Sequence, residues 1–234
     1  GVIAMRLAFL NNDSTFGKIC TFIGTVILVN LMFVLTLIPL ITAGAGFCAM
    51  YFSMLKLVRY KEINPFEEFY HGFKDNFKKA TLSWIGILAL AIFFFVDLRI
   101  CSYMDGVLKN CVFVVWAGII ALAVIAMYLF PVMASFEGKI RTCIKNSVFF
   151  IGSNLLYMIV IAFLNVAPMA LTYLNLGILP LSAFIWCVCG FAMIAFVNSM
   201  FLMRLFSKYL DPLDEEEERN NERKILEDMR KLEG

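Results

Sequence analysis

The sequence predicts an all-α fold: a polytopic transmembrane helical bundle of about six spans, or five if the second is re-entrant, with both termini cytoplasmic. Composition, run length and the placement of charge predict it. Of the 234 residues, 62% are hydrophobic and 16% charged, and the mean hydropathy is +0.84, whereas soluble domains use roughly 45–50% apolar residues. A soluble core cannot absorb that much apolar surface. Lipid can, provided that each span satisfies its own backbone hydrogen bonds, which leaves helices and closed barrels. The apolar runs are long and lack the alternation of barrel strands, so helices are expected.

A hydrocarbon core of about 30 Å takes roughly twenty helical residues. That length divides the chain into segments 19–41, 43–58, 80–96, 107–134, 147–173 and 178–206. The second is short, opens with Gly44, Ala45 and Gly46 and carries Ser53 and Lys56, which is why a re-entrant or tilted piece is the alternative there. Cytoplasmic loops are enriched in Lys and Arg. With six spans one side collects eighteen of the twenty basic residues, and the other keeps only Arg99 and Lys109. The chain then divides into a transmembrane domain, 1–210, and a charged cytoplasmic tail, 211–234. The net charge of +2 is accounted for by this topology, and no basic stripe is left over for nucleic acid. The first apolar run is as long as a span and lacks a small-residue cleavage site, so it reads as an uncleaved anchor.

Before the third span, residues 64–79 form an amphipathic stretch. Phe66, Phe69, Tyr70, Phe73 and Phe77 recur at helical intervals, opposite Glu67, Glu68, His71, Lys74, Asp75 and Lys78. This predicts a helix lying at the cytoplasmic boundary, with the charged face as the candidate partner-binding surface. A weak internal repeat aligns Phe73–Thr81 with Ile140–Val148, each a basic turn feeding a span. In the tail, Asp214 to Glu218 precede Arg219, Arg223 and Lys224, an order that suits a helix dipole.

No residue pattern assembles an enzyme. The seven cysteines do not follow a metal-ligand spacing. Cys187 and Cys189 sit in an apolar span without a histidine, and only Cys101 and Cys111 share the outer face where a disulfide can form. His71 is the single histidine, and there is no nucleophile elbow and no phosphate loop. Catalytic, cofactor and metal sites are therefore not expected. Ionisable residues within spans would mark an ion path, but Lys56, Asp97 and Arg99 lie only at span ends. The uncharged polar set is richer: Thr21, Thr25, Asn30 and Thr36 in the first span, Asn154 and Asn165 in the fifth, Asn198 in the sixth. Asn30, Thr36, Asn154, Asn165 and Asn198 are candidates either for helix–helix hydrogen bonds or for lining a polar path. Pro168 and Pro180 allow the fifth and sixth spans to bend near their shared outer turn.

Three stretches resemble the YesL family, bacterial membrane proteins assigned to a domain of unknown function: Pro39 to Ala45, Tyr51 to Arg59, and Phe69 to Thr81 with its Lys78-Lys79-Ala80 junction. Asp97 stands at that family's usual acidic position. The resemblance implies the bacterial plasma membrane and a genetic association with carbohydrate ABC importers and polysaccharide-degrading enzymes. It implies no catalytic or binding residue. The first functional expectation is a non-enzymatic accessory subunit that binds the permease or ATPase of such an importer. The alternative is a stand-alone transporter or channel for a small solute. In a cysteine-free variant, Asp105→Cys is expected to react with an impermeant thiol reagent in intact cells and Glu217→Cys to be protected; the opposite pattern overturns the topology.

Overall fold

A computed structural model describes residues 15–103, 110–174, 177, 179–207 and 209. Among these residues the chain is helical and holds no strand. The helices are α1 (Thr15–Leu37), α2 (Ala43–Tyr60), α3 (Pro65–Ser102), α4 (Cys111–Ser135), α5 (Ile140–Ser153), α6 (Leu155–Leu174), α7 (Leu179–Ile185) and α8 (Phe191–Phe206), the last two joined by a π turn, Trp186–Gly190. Five helical stretches are long and apolar enough to cross a membrane: Phe16–Leu37, Pro65–Ser102, Cys111–Ser135, Leu155–Leu174 and Leu179–Phe206. The charged tail and the residues before Thr15 lie outside the described residues, as do 104–109 of the expected outer loop.

The second predicted span is where the structure favours the alternative of five spans. α2 is not among the five candidates; it is the central helix, buried along most of its length and packed on α1, α3, α4 and α8. Small residues make this possible. Gly44 lies directly against the Trp84 side chain and the Ala80 carbonyl, and Gly72 returns the close approach by lying under Phe52. With the Lys56–Glu68 ion pair at 2.8 Å, these contacts fix an antiparallel register in which α2 covers only the first half of α3. The second half of α3 packs instead on α4, which runs antiparallel to it, with Trp84 near Phe130 and Phe94 over Gly118. Helix α2 is therefore enclosed by protein along most of its length, because its Lys56, Arg59 and small residues suit a helical seam better than a lipid face.

The turn between α1 and α2 is held by an unusual contact. Leu40 adopts a left-handed backbone (φ 51), which costs a branched L-residue about 1–2 kcal/mol. The Trp84 indole N–H donates to the Leu40 carbonyl at 2.9 Å, and the Thr42 hydroxyl donates to the Thr36 carbonyl at 2.7 Å, so side chains add to the backbone bonds of the turn.

Two further boundaries differ from the sequence reading. The amphipathic stretch 64–79 and the third span are one 38-residue helix, about 57 Å long at 1.5 Å per residue. Pro65 starts it, no Gly or Pro interrupts Lys74–Ser83, and one buried stripe of Phe69, Gly72, Asn76, Ala80 and Ser83 runs through the expected junction. The stretch thus continues the span's axis, where a separate helix at the boundary was expected. The fifth span, conversely, is split: Asn154 (φ −149, ψ 80) leaves the helical region between α5 and α6. Pro168 is accommodated inside α6, and a second internal proline, Pro131, sits inside α4. The repeat has a structural echo, since Asn76, Ala80 and Ser83 and their counterparts Cys143, Ser147 and Phe150 are all buried.

A methyl group at the α2–α3 seam tests this packing. Gly44→Ala is expected to lower the melting temperature of the detergent-solubilised protein by several degrees, because its Cβ meets backbone. Gly86→Ala has nothing within 4 Å and is expected to be neutral or stabilising, as Ala gains up to about 1 kcal/mol over Gly in a helix.

Candidate functional site

On α3 the side chains that look alike in the sequence separate into three environments. Phe69 is buried on α2 and Phe73 half-buried, whereas Phe66 and Tyr70 remain well exposed. The six charged candidates divide as well. Glu68 is drawn into the seam by Lys56, whose ammonium also sits 4.7 Å from the Phe52 ring centre. His71 Nδ1 lies 2.8 Å from Asp75 Oδ2, and its ring stacks on Phe52 with centres 5.9 Å apart. Glu67 accepts from Asn64 Nδ2 at 3.3 Å. Lys74 rests beside Tyr70, and Lys78 is exposed. Glu67, His71, Lys74, Asp75 and Lys78 thus present one mixed-sign outer face, and Glu68 belongs to the core side of the helix.

The polar candidates in the apolar region are bound up in the fold. Asn30, fully buried, donates from Nδ2 to the carbonyls of Trp186 (3.0 Å) and Cys187 (2.7 Å) and accepts the Ala192 N–H at 2.9 Å. Thr36 donates to the Phe33 carbonyl at 2.6 Å, Asn165 donates to the Ile161 carbonyl at 2.7 Å, and Asn154 marks the α5–α6 break. Asn198, also fully buried, donates to the Tyr51 hydroxyl at 3.2 Å. The structure does not bring these five residues together: Asn30 and Asn198 serve two separate helix junctions, and the other three act within or between turns of their own segments.

Sequence reasoning missed the aromatic partners. Tyr51 meets Asn198, and the Trp186 indole donates to the Thr172 hydroxyl at 3.1 Å, while Trp84 secures the α1–α2 turn. The available signal was that Trp and Tyr inside apolar runs carry polar ends that require partners. Among the described residues Thr81 Oγ1, Tyr128 OH, Asn198 Oδ1 and Ser199 Oγ are buried without a hydrogen-bond partner.

All seven cysteines are free, so Cys101, which is buried, and Cys111, which is exposed, are not bridged. Burial pushes the Cys143 thiol up from its ordinary value, with Lys79 opposing, so it stays protonated at neutral pH. No group of three or more His, Cys, Asp or Glu with metal-binding geometry occurs among the described residues.

The fold defines a multi-pass α-helical membrane protein. Residues 26–98, from the middle of α1 through the apolar half of α3, match a family model described as "Protein of unknown function, DUF624". No curated protein and no solved structure matches the chain.

Tyr51→Phe is expected to destabilise the protein by about 1–3 kcal/mol, the cost of a buried polar group left unpaired. Adding Asn198→Leu to that variant should cost less than the same change in the native chain, as read from thermal melts of all four proteins.

Proposed function

We propose that the protein is a non-enzymatic accessory subunit of a carbohydrate ABC importer in a bacterial plasma membrane, akin to the YesL family, and that it docks through the outer face of α3. One observation carries the docking surface. α3 runs on for about four turns beyond its apolar half, and there it presents Glu67, His71, Lys74, Asp75 and Lys78 outward while its opposite side is packed on α2. A mixed-sign face of this kind suits recognition, because charge complementarity sets orientation and rejects wrong partners. The importer as partner comes from the resemblance of residues 39–81 to that family, and the family-model match over residues 26–98 covers the same stretch. Asn30, Thr36, Asn165 and Asn198 are engaged in hydrogen bonds within the fold, which supports reading them as packing residues in place of the lining of a transport path.

The position of Glu68 determines which variants test the face cleanly. Glu67→Lys, Lys74→Glu and Lys78→Glu together change side chains outside the α2–α3 seam, so membrane insertion and melting temperature are expected to hold. Co-purification of the importer subunits and sugar uptake by cells should both fall at least tenfold. Unchanged association and uptake would show that this face docks nothing, and sugar movement by the isolated protein in proteoliposomes would overturn the accessory reading altogether.

A further inference from the structure

The continuous stretch from Leu179 to Phe206 contains a π turn, Trp186–Gly190, and a π turn accommodates one residue more than the α-helix around it. Inserting that residue changes the phase of everything on one side by about 100° and advances it by about 1.5 Å. It also displaces the local hydrogen bonds, and in apolar surroundings no water takes their place. Asn30 of α1 bonds to the backbone here: its two amide hydrogens go to the Trp186 and Cys187 carbonyls and its oxygen accepts the Ala192 N–H. Two of these backbone groups belong to the first residues of the π turn and the third to the first turn of α8.

We propose that Asn30 is a register lock, holding this helix in its π-turn state, and that withdrawal of Asn30 lets the turn anneal to α-helix and rotates α7 by about 100° relative to α8. The two flanks differ in how firmly they are held. α8 is anchored by Ala192, Ala195, Leu202 and Leu205, which are buried on its neighbours, whereas α7 contributes no buried residue. The rotation therefore falls on α7. A second latch comes from α6, through the Trp186 indole on Thr172, and the Trp186 ring packs on Phe191 with centres 4.9 Å apart. Phe33, one turn along α1 from Asn30, packs on Phe191 as well. The position of α1 is thereby coupled to which face of α7 meets the lipid, whatever partner the α3 face takes.

The two registers predict different exposures. With the π turn in place Leu181 and Ile185 are exposed and Ser182 and Trp186 are half-buried. Annealed, the phase of α8 carries back to Leu181 and Ile185 as the inward positions and leaves Ser182 outward. Single spin labels at 181, 182 and 185 in the full-length, cysteine-free protein in liposomes read this as oxygen accessibility. Asn30→Leu is expected to exchange the pattern, making 182 accessible and 181 and 185 protected; an unmoved pattern overturns the proposal. A second measurement does not depend on that variant reaching the annealed state. Removing Val188 deletes the extra residue and closes the turn directly, so Asn30 no longer has displaced groups to satisfy. Asn30→Leu is expected to lower the melting temperature of the native chain by about 5 °C or more, and to leave it unchanged or raise it in the chain without Val188. An equal drop in both chains overturns the lock.

Discussion

The close approach of α2 to α3 is the constraint on which the rest of the arrangement depends. Gly44 under Trp84 and Gly72 under Phe52 bring two helices together along a seam that larger residues would hold apart. Once that seam is set, Trp84 is placed to grip the Leu40 carbonyl and the α1–α2 turn is fixed halfway along α3. The apolar half of α3 is then free to pair with α4, and α8 is left to close the other side of α2 through Asn198 and Tyr51. A single helical register thus distributes the neighbours of every other helix in the first half of the chain.

Apolar surroundings impose a second rule, that each displaced backbone group must find a partner inside the protein. The polar residues are spent on that requirement. Asn30 serves the π turn, Asn165 and Ser147 bond back to carbonyls four residues earlier, and Thr42 bridges the α1–α2 turn. The fold thereby uses these residues in structural bonds, and it leaves Glu67, His71, Lys74, Asp75 and Lys78 facing outward on α3 with partners on or beside that helix for four of them.

That division supports the proposed role in association. Among the described residues the lipid-facing sides are apolar, the core is small-residue and aromatic, and the mixed-sign surface lies on the longest helix. If the proposed docking holds, this 38-residue helix links the docked face to the α2–α3 seam, because the Lys56–Glu68 pair and the His71 stack on Phe52 lie on the border between the two.

Periodicity and run length alone determined that this is an all-α membrane bundle, and they located the apolar part of α3, most of α4 and the amphipathic pattern of 64–79, because those features depend on residues adjacent in sequence. The same local signals could not separate Glu68 from Glu67, since only the approach of Lys56 on another helix draws one into the seam and leaves the other outside. Nor could they show that 64–79 would continue the axis of 80–96, that Asn154 would break one apolar run, or that a π turn would interrupt another. Each of those outcomes was decided by tertiary structure, where α2 lends α3 a continuous buried stripe and Asn30, more than 150 residues away in sequence, stabilises backbone groups that an isolated helix would have had to pair within itself.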